Sequence, residues 1–338
     1  MSKKKILFIG GSLNQTSMVH AVASQIQDDY DCWFTPFFCD AGLLKRLHEA
    51  GTLDFSILGG KFRAATDRYF QEHQLPVDFG GQQHDYDLVV TTSDLVIQRT
   101  IRHKPIVLIQ EGMTDPENLM FHLCKWLRLP RYLASTSTTG LSDAYQAFCV
   151  ASEGYREFFI RKGVRPEKIV VTGIPNFDDA VRFHRNTFRF RGYVLVATSD
   201  TRETFKPDDR KAFIRRALDI AAGRPIIFKL HPNENHVRSR KEIYELAPRA
   251  LVLTDGNIGE MIANCDALIT QYSSVAFIGL ALGKEVHSYF DLDLLRRLLP
   301  LQNNGTSNRH IASVCRRLLE TETSTASHGL AYAQAGAG

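Results

Sequence analysis

Short runs that are apolar on both faces recur along this 338-residue chain, with helix-length stretches between them. Lys5-Ile6-Leu7-Phe8-Ile9 ends in Gly10-Gly11-Ser12. Asp31 to Phe38, Asp87-Leu88-Val89-Val90-Thr91, Pro105-Ile106-Val107-Leu108-Ile109, Gln146 to Val150 and Lys168 to Thr172 repeat the pattern. A strand covered by helices on both sides needs apolar side chains in both directions. The pattern therefore predicts parallel sheets built from β–α–β units, and it disfavours sandwiches and bundles. Helix signals from about residue 17 to 26 supply the first crossover.

Arg182 to Arg191, rich in Arg and Phe and without a period, reads as a linker. A second series then opens at Tyr193-Val194-Leu195-Val196-Ala197. It runs through helix 207–222, strand 225–230, helix 239–247, strand 250–254, helix 257–264, strand 266–270 and helix 274–282. The chain is also too long for one core of ordinary size. The expected fold is α/β, with two Rossmann-like domains at 1–184 and 185–322 and a cleft between their two sets of strand ends. Residues 323–338, Thr and Ser and then Ala and Gly, lack a core pattern and are expected to form a disordered tail or linker.

Composition narrows the class. A hydrophobic share of 44% with 23% charged residues is that of a soluble globular protein. No apolar run approaches the roughly 20 residues of a membrane span, and Met1-Ser2-Lys3-Lys4-Lys5 leads into a strand, so a cytoplasmic location is expected. Cysteines 32, 39, 124, 149, 265 and 315 show no CxxC spacing and read as reduced core thiols. His122, His236 and His287 have no partner at metal spacing, and Asp291-Leu292-Asp293 reads as a helix cap rather than a metal–nucleotide motif, so neither a metal nor a cofactor is expected. The net charge of +4 suits anionic substrates or a peripheral approach to anionic lipid, and is too small to argue for nucleic acid.

In open parallel sheets, residues just past the carboxyl ends of strands line the ligand crevice. Two such runs stand out: Lys229-Leu230-His231-Pro232 after strand 225–230, and Gln271-Tyr272-Ser273-Ser274 after strand 266–270. Lys229 and His231 alternate on a strand end and share a face. A cation and a proton donor there would stabilise a phosphate leaving group. Ser273-Ser274 opens an apolar helix, where hydroxyls and first-turn amides hold phosphate, although serine caps any helix equally well.

Strand 105–109 ends in Gln110-Glu111-Gly112, placing a candidate general base at Glu111. Strand 193–197 ends in Thr198-Ser199-Asp200, and Asp200 is a candidate carboxylate nucleophile or turn cap. Gly10-Gly11-Ser12 is not a dinucleotide fingerprint, and its small residues are expected to let substrate approach the backbone. Thr172-Gly173-Ile174-Pro175-Asn176-Phe177-Asp178 reads as a cleft-edge turn.

The order strand-Glu-Gly, strand-His-Pro, strand-Ser-Ser resembles bacterial GT-B sialyltransferases and Kdo transferases that use CMP-activated donors. That resemblance implies a base at Glu111, leaving-group assistance from His231 and a CMP-phosphate site at Ser273 and Ser274. The usual acidic pair before Gly is Gln110-Glu111 here, and a β-Kdo-type mechanism would instead make Asp200 the nucleophile. Ile269 to Ser274 and Thr172 to Asn176 also resemble segments of CDP-glycerol and CDP-ribitol polyol-phosphate transferases. Glu111-Gly112, with Phe148 through Asp178, is similar to UDP-GlcNAc 2-epimerases.

The reading these resemblances imply is a metal-independent glycosyltransferase moving Kdo or a sialic-acid-like sugar from a CMP donor to a glycan or lipid-linked glycan, in surface-polysaccharide assembly. Association with the membrane face or with other assembly enzymes would fit it. The alternatives are a UDP-N-acetylhexosamine 2-epimerase, a CDP-polyol phosphotransferase and a non-catalytic module of the same fold.

Overall fold

The computed structural model describes residues 3–40, 42–53, 56–203 and 208–335, with the side chains of Leu43 and of residues 322–335 excepted. Residues 1, 2, 207 and 336–338, which the sequence assigned to a strand approach, a helix start and a tail, lie outside the described residues. The chain divides into two compact units, residues 1–178 with 305–338, and residues 179–304.

The first unit contains β1 (Lys5–Gly10), α1 (Leu13–Ala23), β2 (Asp31–Pro36), α2 (Gly42–Glu49), α3 (Gly60–Glu72), β3 (Leu88–Thr91), β4 (Ile106–Ile109), α4 (Leu119–Leu127), β5 (Ala147–Val150), α5 (Glu153–Lys162) and β6 (Ile169–Val171). Its sheet is ordered β2-β1-β3-β4-β5-β6, and every pairing is parallel. The second unit contains β7 (Val194–Ala197), α6 (Arg210–Ala221), β8 (Ile226–Lys229), α7 (His236–Leu246), β9 (Leu251–Leu253), α8 (Ile258–Asn264), β10 (Ala267–Thr270), α9 (Val275–Ala281), β11 (Glu285–His287) and α10 (Leu292–Leu298). Its parallel sheet runs β11-β10-β7-β8-β9.

The inner strands carry the core, as their apolar runs require. Ile6 to Ile9, Leu88 to Val90, Ile106 to Ile109 and Val194 to Val196 are all buried, because helices cover both sheet faces. Strand order reverses between β1 and β3 in one unit and between β7 and β10 in the other. Those reversals open the crevices in which ligands of such sheets bind.

Ten strands fall where the sequence placed them, within a few residues. β11 was not foreseen, because a three-residue edge strand beginning with a charge carries almost no pattern. The domain bounds also differ from the expected ones. Residues 179–184, a 3-10 turn at Ala180–His184, belong with the second unit, and the final helix α11 (Ser307–Ala335) belongs with the first. Ile311, Ala312, Val314, Cys315 and Leu319 are buried along one face of α11. Lys4 Nζ donates to Leu319 O at 2.5 Å, and Arg316 Nη2 donates to Gln25 O at 2.6 Å. The same helix runs on to Ala335, through most of the stretch expected to be disordered. A helix nucleated on packed turns propagates readily into residues without a core pattern.

Asp178 marks where the chain leaves the first unit and returns to it. Its buried carboxylate accepts from Ser307 N–H at 2.9 Å, and its carbonyl from Gly305 N–H at 3.4 Å. The turn before it needs glycine, because Gly173 has φ +74°. Gly173→Ala should cost about 1 kcal/mol of stability in urea unfolding without altering ligand affinity. A loss of affinity at unchanged stability would show that the turn itself touches substrate.

Candidate functional site

β8, β7 and β10 are adjacent, with Lys229 registered beside Ala197 and Ala197 beside Thr270. Their carboxyl ends therefore gather Thr198, Ser199, Asp200, His231 and Gln271 to Ser274 on one edge. His231 N–H donates to Thr198 Oγ1 at 3.1 Å and to Glu234 Oε2 at 3.0 Å. The ring Nδ1 accepts from Asn233 N–H at 3.2 Å, which assigns the proton of the neutral imidazole to Nε2. Asn233 Nδ2 also donates to Asp200 Oδ2 at 3.0 Å, and that oxygen lies 3.6 Å from His231 Nδ1. One asparagine thus fixes both candidate residues, and the His231 side chain stays 37% exposed with Nε2–H as its donor.

Beneath this edge lies a buried ionic network that the sequence reading missed. Arg210 pairs with Asp208 at 3.1 Å and with Glu234 at 2.8 Å, and donates to Ser199 O. Glu234 further accepts from Thr198 Oγ1 and from Ser239 Oγ. Asp208 accepts from Gln271 Nε2 at 2.6 Å, and Gln271 Oε1 from Ser199 Oγ at 2.9 Å. Buried charges are tolerable only when paired in this way, although Arg210 Nη1 is buried without a hydrogen-bond partner. The network joins Ser199 after β7, Asp208 and Arg210 at the start of α6, Glu234 after β8 and Gln271 after β10. Only a local signal was available: Asp208-Asp209-Arg210 reads as a helix start, and Asp209 does cap α6.

Three residues expected to bind substrate or nucleotide, Ser199, Gln271 and Lys229, have partners within the protein. Ser199 and Gln271 are buried inside the network. Lys229 is buried, and its ammonium donates to Leu230 O at 3.0 Å and to Thr254 O at 2.8 Å, so it clasps strand ends instead of standing open to an anion. Desolvation lowers its pKa from the ordinary 10.5. Pro232 is exposed beside His231. Ser274 stands at the N-cap of α9 with helical dihedral angles and makes no side-chain cap bond, while Ser273 Oγ accepts from Val275 N–H at 3.4 Å. Both serines are half-buried, and the ordinary capping explanation does not account for Ser274.

In the first unit, Glu111 follows β4. Its Oε2 accepts from Gln15 Nε2 at 2.6 Å and its Oε1 from Ser12 Oγ at 3.4 Å. Burial raises the Glu111 pKa from the ordinary 4.5, opposed in part by hydrogen bonds from Gln15, Ser12 and Asn14. Ser12 and Gln15 form a reciprocal capping box at the start of α1, so the helix terminus and the carboxylate are held by the same two side chains.

This changes the role expected for Gly11. A Cβ there would stand 2.2 Å from Gln15 Oε1 and 2.9 Å from Ile57 Cδ1, so the glycine makes room for the glutamine that grips Glu111 and not for substrate. Gly112 has no such constraint, since its Cβ would meet Phe177 at 3.5 Å, an ordinary contact. Gln110 is buried, donates to Gly112 O and accepts from Ala151 N–H, which leaves Glu111 as the titrating group of the pair. Gly173 and half-buried Pro175 shape the turn that carries Asn176, whose Nδ2 donates to Asn14 Oδ1 at 2.9 Å.

All six cysteines are free and buried, as expected, and desolvation pushes Cys32, Cys149 and Cys265 up to about 12 and Cys39 to about 11. Asp291 caps α10, as expected. Among the described residues, no group of three or more His, Cys, Asp or Glu side chains is placed to hold a metal ion, and no helix is long and apolar enough to cross a membrane.

No protein-family model and no curated protein matches the sequence. Solved structures do match the fold. UDP-GlcNAc 2-epimerase of Methanocaldococcus jannaschii, in complex with UDP-GlcNAc and UDP, is similar with a TM-score of 0.56 and 11% identity, over 92% of this chain and 99% of that one. UDP-GlcNAc 2-epimerase of Neisseria meningitidis, bound to UDP-GlcNAc, gives 0.54 and 11%, over 93% and 100%. The wall teichoic acid polymerase TagF gives 0.50 and 11%, over 96% and 90%. With two parallel α/β units of this topology, the chain has the GT-B-type fold of these epimerases and transferases.

Proposed function

We propose that this protein is an enzyme acting on a nucleotide-activated sugar, and that its leading substrate class is a UDP-N-acetylhexosamine converted by 2-epimerisation. The observation that carries the reading is the edge formed by β8, β7 and β10. There His231, its tautomer set by Asn233, offers an Nε2–H donor on the same edge as the hydroxyls of Ser273 and Ser274. A ring N–H donor and two hydroxyls suit the phosphates of a nucleoside diphosphate, and they stabilise the charge that develops as it departs. Epimerisation at C2 balances as loss of the C2 proton together with the nucleoside diphosphate, leaving a C1–C2 double bond, and re-addition of the diphosphate with a proton delivered to the opposite face of C2. Glu111, with its raised pKa and its two hydrogen-bonded oxygens, is suited to one of these two proton transfers. The complexes of the two epimerases named above point to the same donor class.

A second reading, transfer from a CMP- or CDP-activated donor, rests on Gln271-Tyr272-Ser273-Ser274 and on the likeness to the teichoic acid polymerase. In it His231 and the serines keep their roles, Glu111 becomes the base toward an acceptor hydroxyl, and Asp200 stands beside the departing phosphate.

Thermal unfolding with UMP, UDP, CMP or CDP separates the two. A ligand present at about 100 times its Kd adds about 2.7 kcal/mol of stability. Stabilisation by UDP, followed by a new 2-epimer in the proton NMR spectrum of UDP-GlcNAc incubated without acceptor, is the expected result. Stabilisation by CMP or CDP alone would overturn the epimerase reading in favour of transfer, and no response to any nucleotide would overturn both.

A further inference from the structure

Between the buried Gln271 and the hydroxyls of Ser273 and Ser274, Tyr272 stays 57% exposed. A single exposed aromatic residue is ordinary on a protein surface. This one is held in place. The Tyr289 ring lies 5.4 Å away at 81° and the Phe290 ring 5.2 Å away at 78°, both in the edge-to-face arrangement that aromatic pairs favour. Tyr289 is itself anchored. It packs on the core of the second unit, meets Phe213 at 6.0 Å and 88°, and has the Arg216 guanidinium 5.2 Å from its ring centre.

The main chain adds two ties. Tyr289 N–H donates to Gln271 O at 3.3 Å, and Ser288 Oγ donates to the same oxygen at 2.9 Å. The turn after β11 therefore grips the chain one residue before Tyr272 and supplies both rings that orient it. These contacts fix the ring without covering it, and a ring already fixed loses little entropy when a flat ligand group stacks on it. Tyr272 also precedes Ser273 directly, so its Cα lies about 3.8 Å from that of a residue proposed to hold phosphate. A UDP-sugar carries a flat-faced ring on either side of its diphosphate, the uracil and the pyranose. Stacking on an aromatic side chain needs only such a face, whatever its polar substituents.

We infer that Tyr272 is the stacking platform of this edge, taking the face of one of the two rings that flank the diphosphate of a UDP-sugar. The inference rests on the UDP-sugar reading proposed above and deepens it, because it names the residue that meets a ring where His231 and the serines meet phosphate.

Titration calorimetry with UDP and with UDP-GlcNAc tests it. Tyr272→Ala should weaken binding between about 5-fold and about 150-fold, and Tyr272→Phe, which keeps the ring, should bind as the wild type does. Alanine also gives up the contacts with Tyr289 and Phe290, so Tyr272→Leu provides a second variant that retains apolar bulk and lacks a flat face. It should bind nearly as weakly as the alanine variant while keeping a melting temperature closer to the wild type. Tyr244→Ala, at a 45% exposed tyrosine of α7, should leave both affinities unchanged. A loss shared by UDP and UDP-GlcNAc assigns the platform to the uracil, and a loss confined to UDP-GlcNAc assigns it to the pyranose; either upholds the inference. Unchanged affinity for both ligands in Tyr272→Ala would overturn it. So would an equal loss in Tyr272→Phe, which would trace the effect to the hydroxyl. A wild type that binds neither ligand would overturn the UDP-sugar reading itself, and this inference with it.

Discussion

His231→Ala should lower kcat about 10²-fold or more, because it removes a donor from the group that leaves with the nucleotide's charge. The substitution tests that role cleanly. Two contacts that hold the turn after β8 run through the main-chain N–H of residue 231, which donates to Thr198 and Glu234 and which alanine keeps; the contact alanine loses is the hydrogen bond from Asn233 N–H to the ring Nδ1. The imidazole itself is partly exposed and supports no core packing, so the melting temperature should move little. A glutamine at this position keeps an N–H donor on a longer stem and should recover part of the lost rate. The expected result is therefore a fall in kcat in the order wild type, glutamine, alanine at nearly constant stability. Near-wild-type turnover in the alanine variant would remove His231 from the mechanism. An equal loss in both variants, accompanied by a lower melting temperature, would make it a structural residue of the turn.

Much of this edge was legible before the fold was known, and the reason is local. A parallel strand buried on both faces leaves an unmistakable apolar run, and the polar residues just beyond it must lie at its carboxyl end. That logic located His231, Asp200, Glu111 and the two serines. What it could not supply was partnership across distance. Lys229 reads as a cation beside His231, yet its ammonium reaches the carbonyl of Thr254, 25 residues onward, because β9 lies next to β8. Gly11 reads as space for a ligand, yet the space is filled by Gln15, which a rotamer choice turns toward Glu111. Arg210 and Glu234 lie in separate segments with no shared period, and only the order of β7 and β8 brings them into one network. The place of α11 was illegible for the same reason: residues up to 322 were expected in the second domain, and the structure puts those of α11 in the first. The spacing of apolar residues along a helix does not say which sheet its inward face will meet.

Glu111→Gln should reduce activity by 10²- to 10⁴-fold, roughly the contribution of a positioned acid–base group, while leaving the fold at least as stable as before. The two halves of that expectation come from one feature. Burial raises the folded-state pKa above the ordinary value of 4.5, so the carboxyl's contribution to stability is full below that value and is lost as pH rises through the raised one. Wherever it is ionised, the carboxylate carries a desolvation cost that Gln15 and Ser12 only partly offset. A carboxamide carries no charge, can still accept from Gln15 Nε2, and does not titrate. Urea unfolding on either side of that window should show wild-type stability falling with rising pH relative to the variant, with the difference constant above it. A buried glutamate serving only the structure would behave in the opposite way, losing stability on substitution and keeping its rate. The pH dependence of kcat/KM then assigns the direction of proton transfer. As a base, Glu111 must be ionised, and the rate should rise with pH through a pKa above the ordinary carboxylate range. As an acid, it must hold its proton, and the rate should fall through that same pKa. In the glutamine variant that limb should vanish in either case, and a limb that persists would assign it to another group.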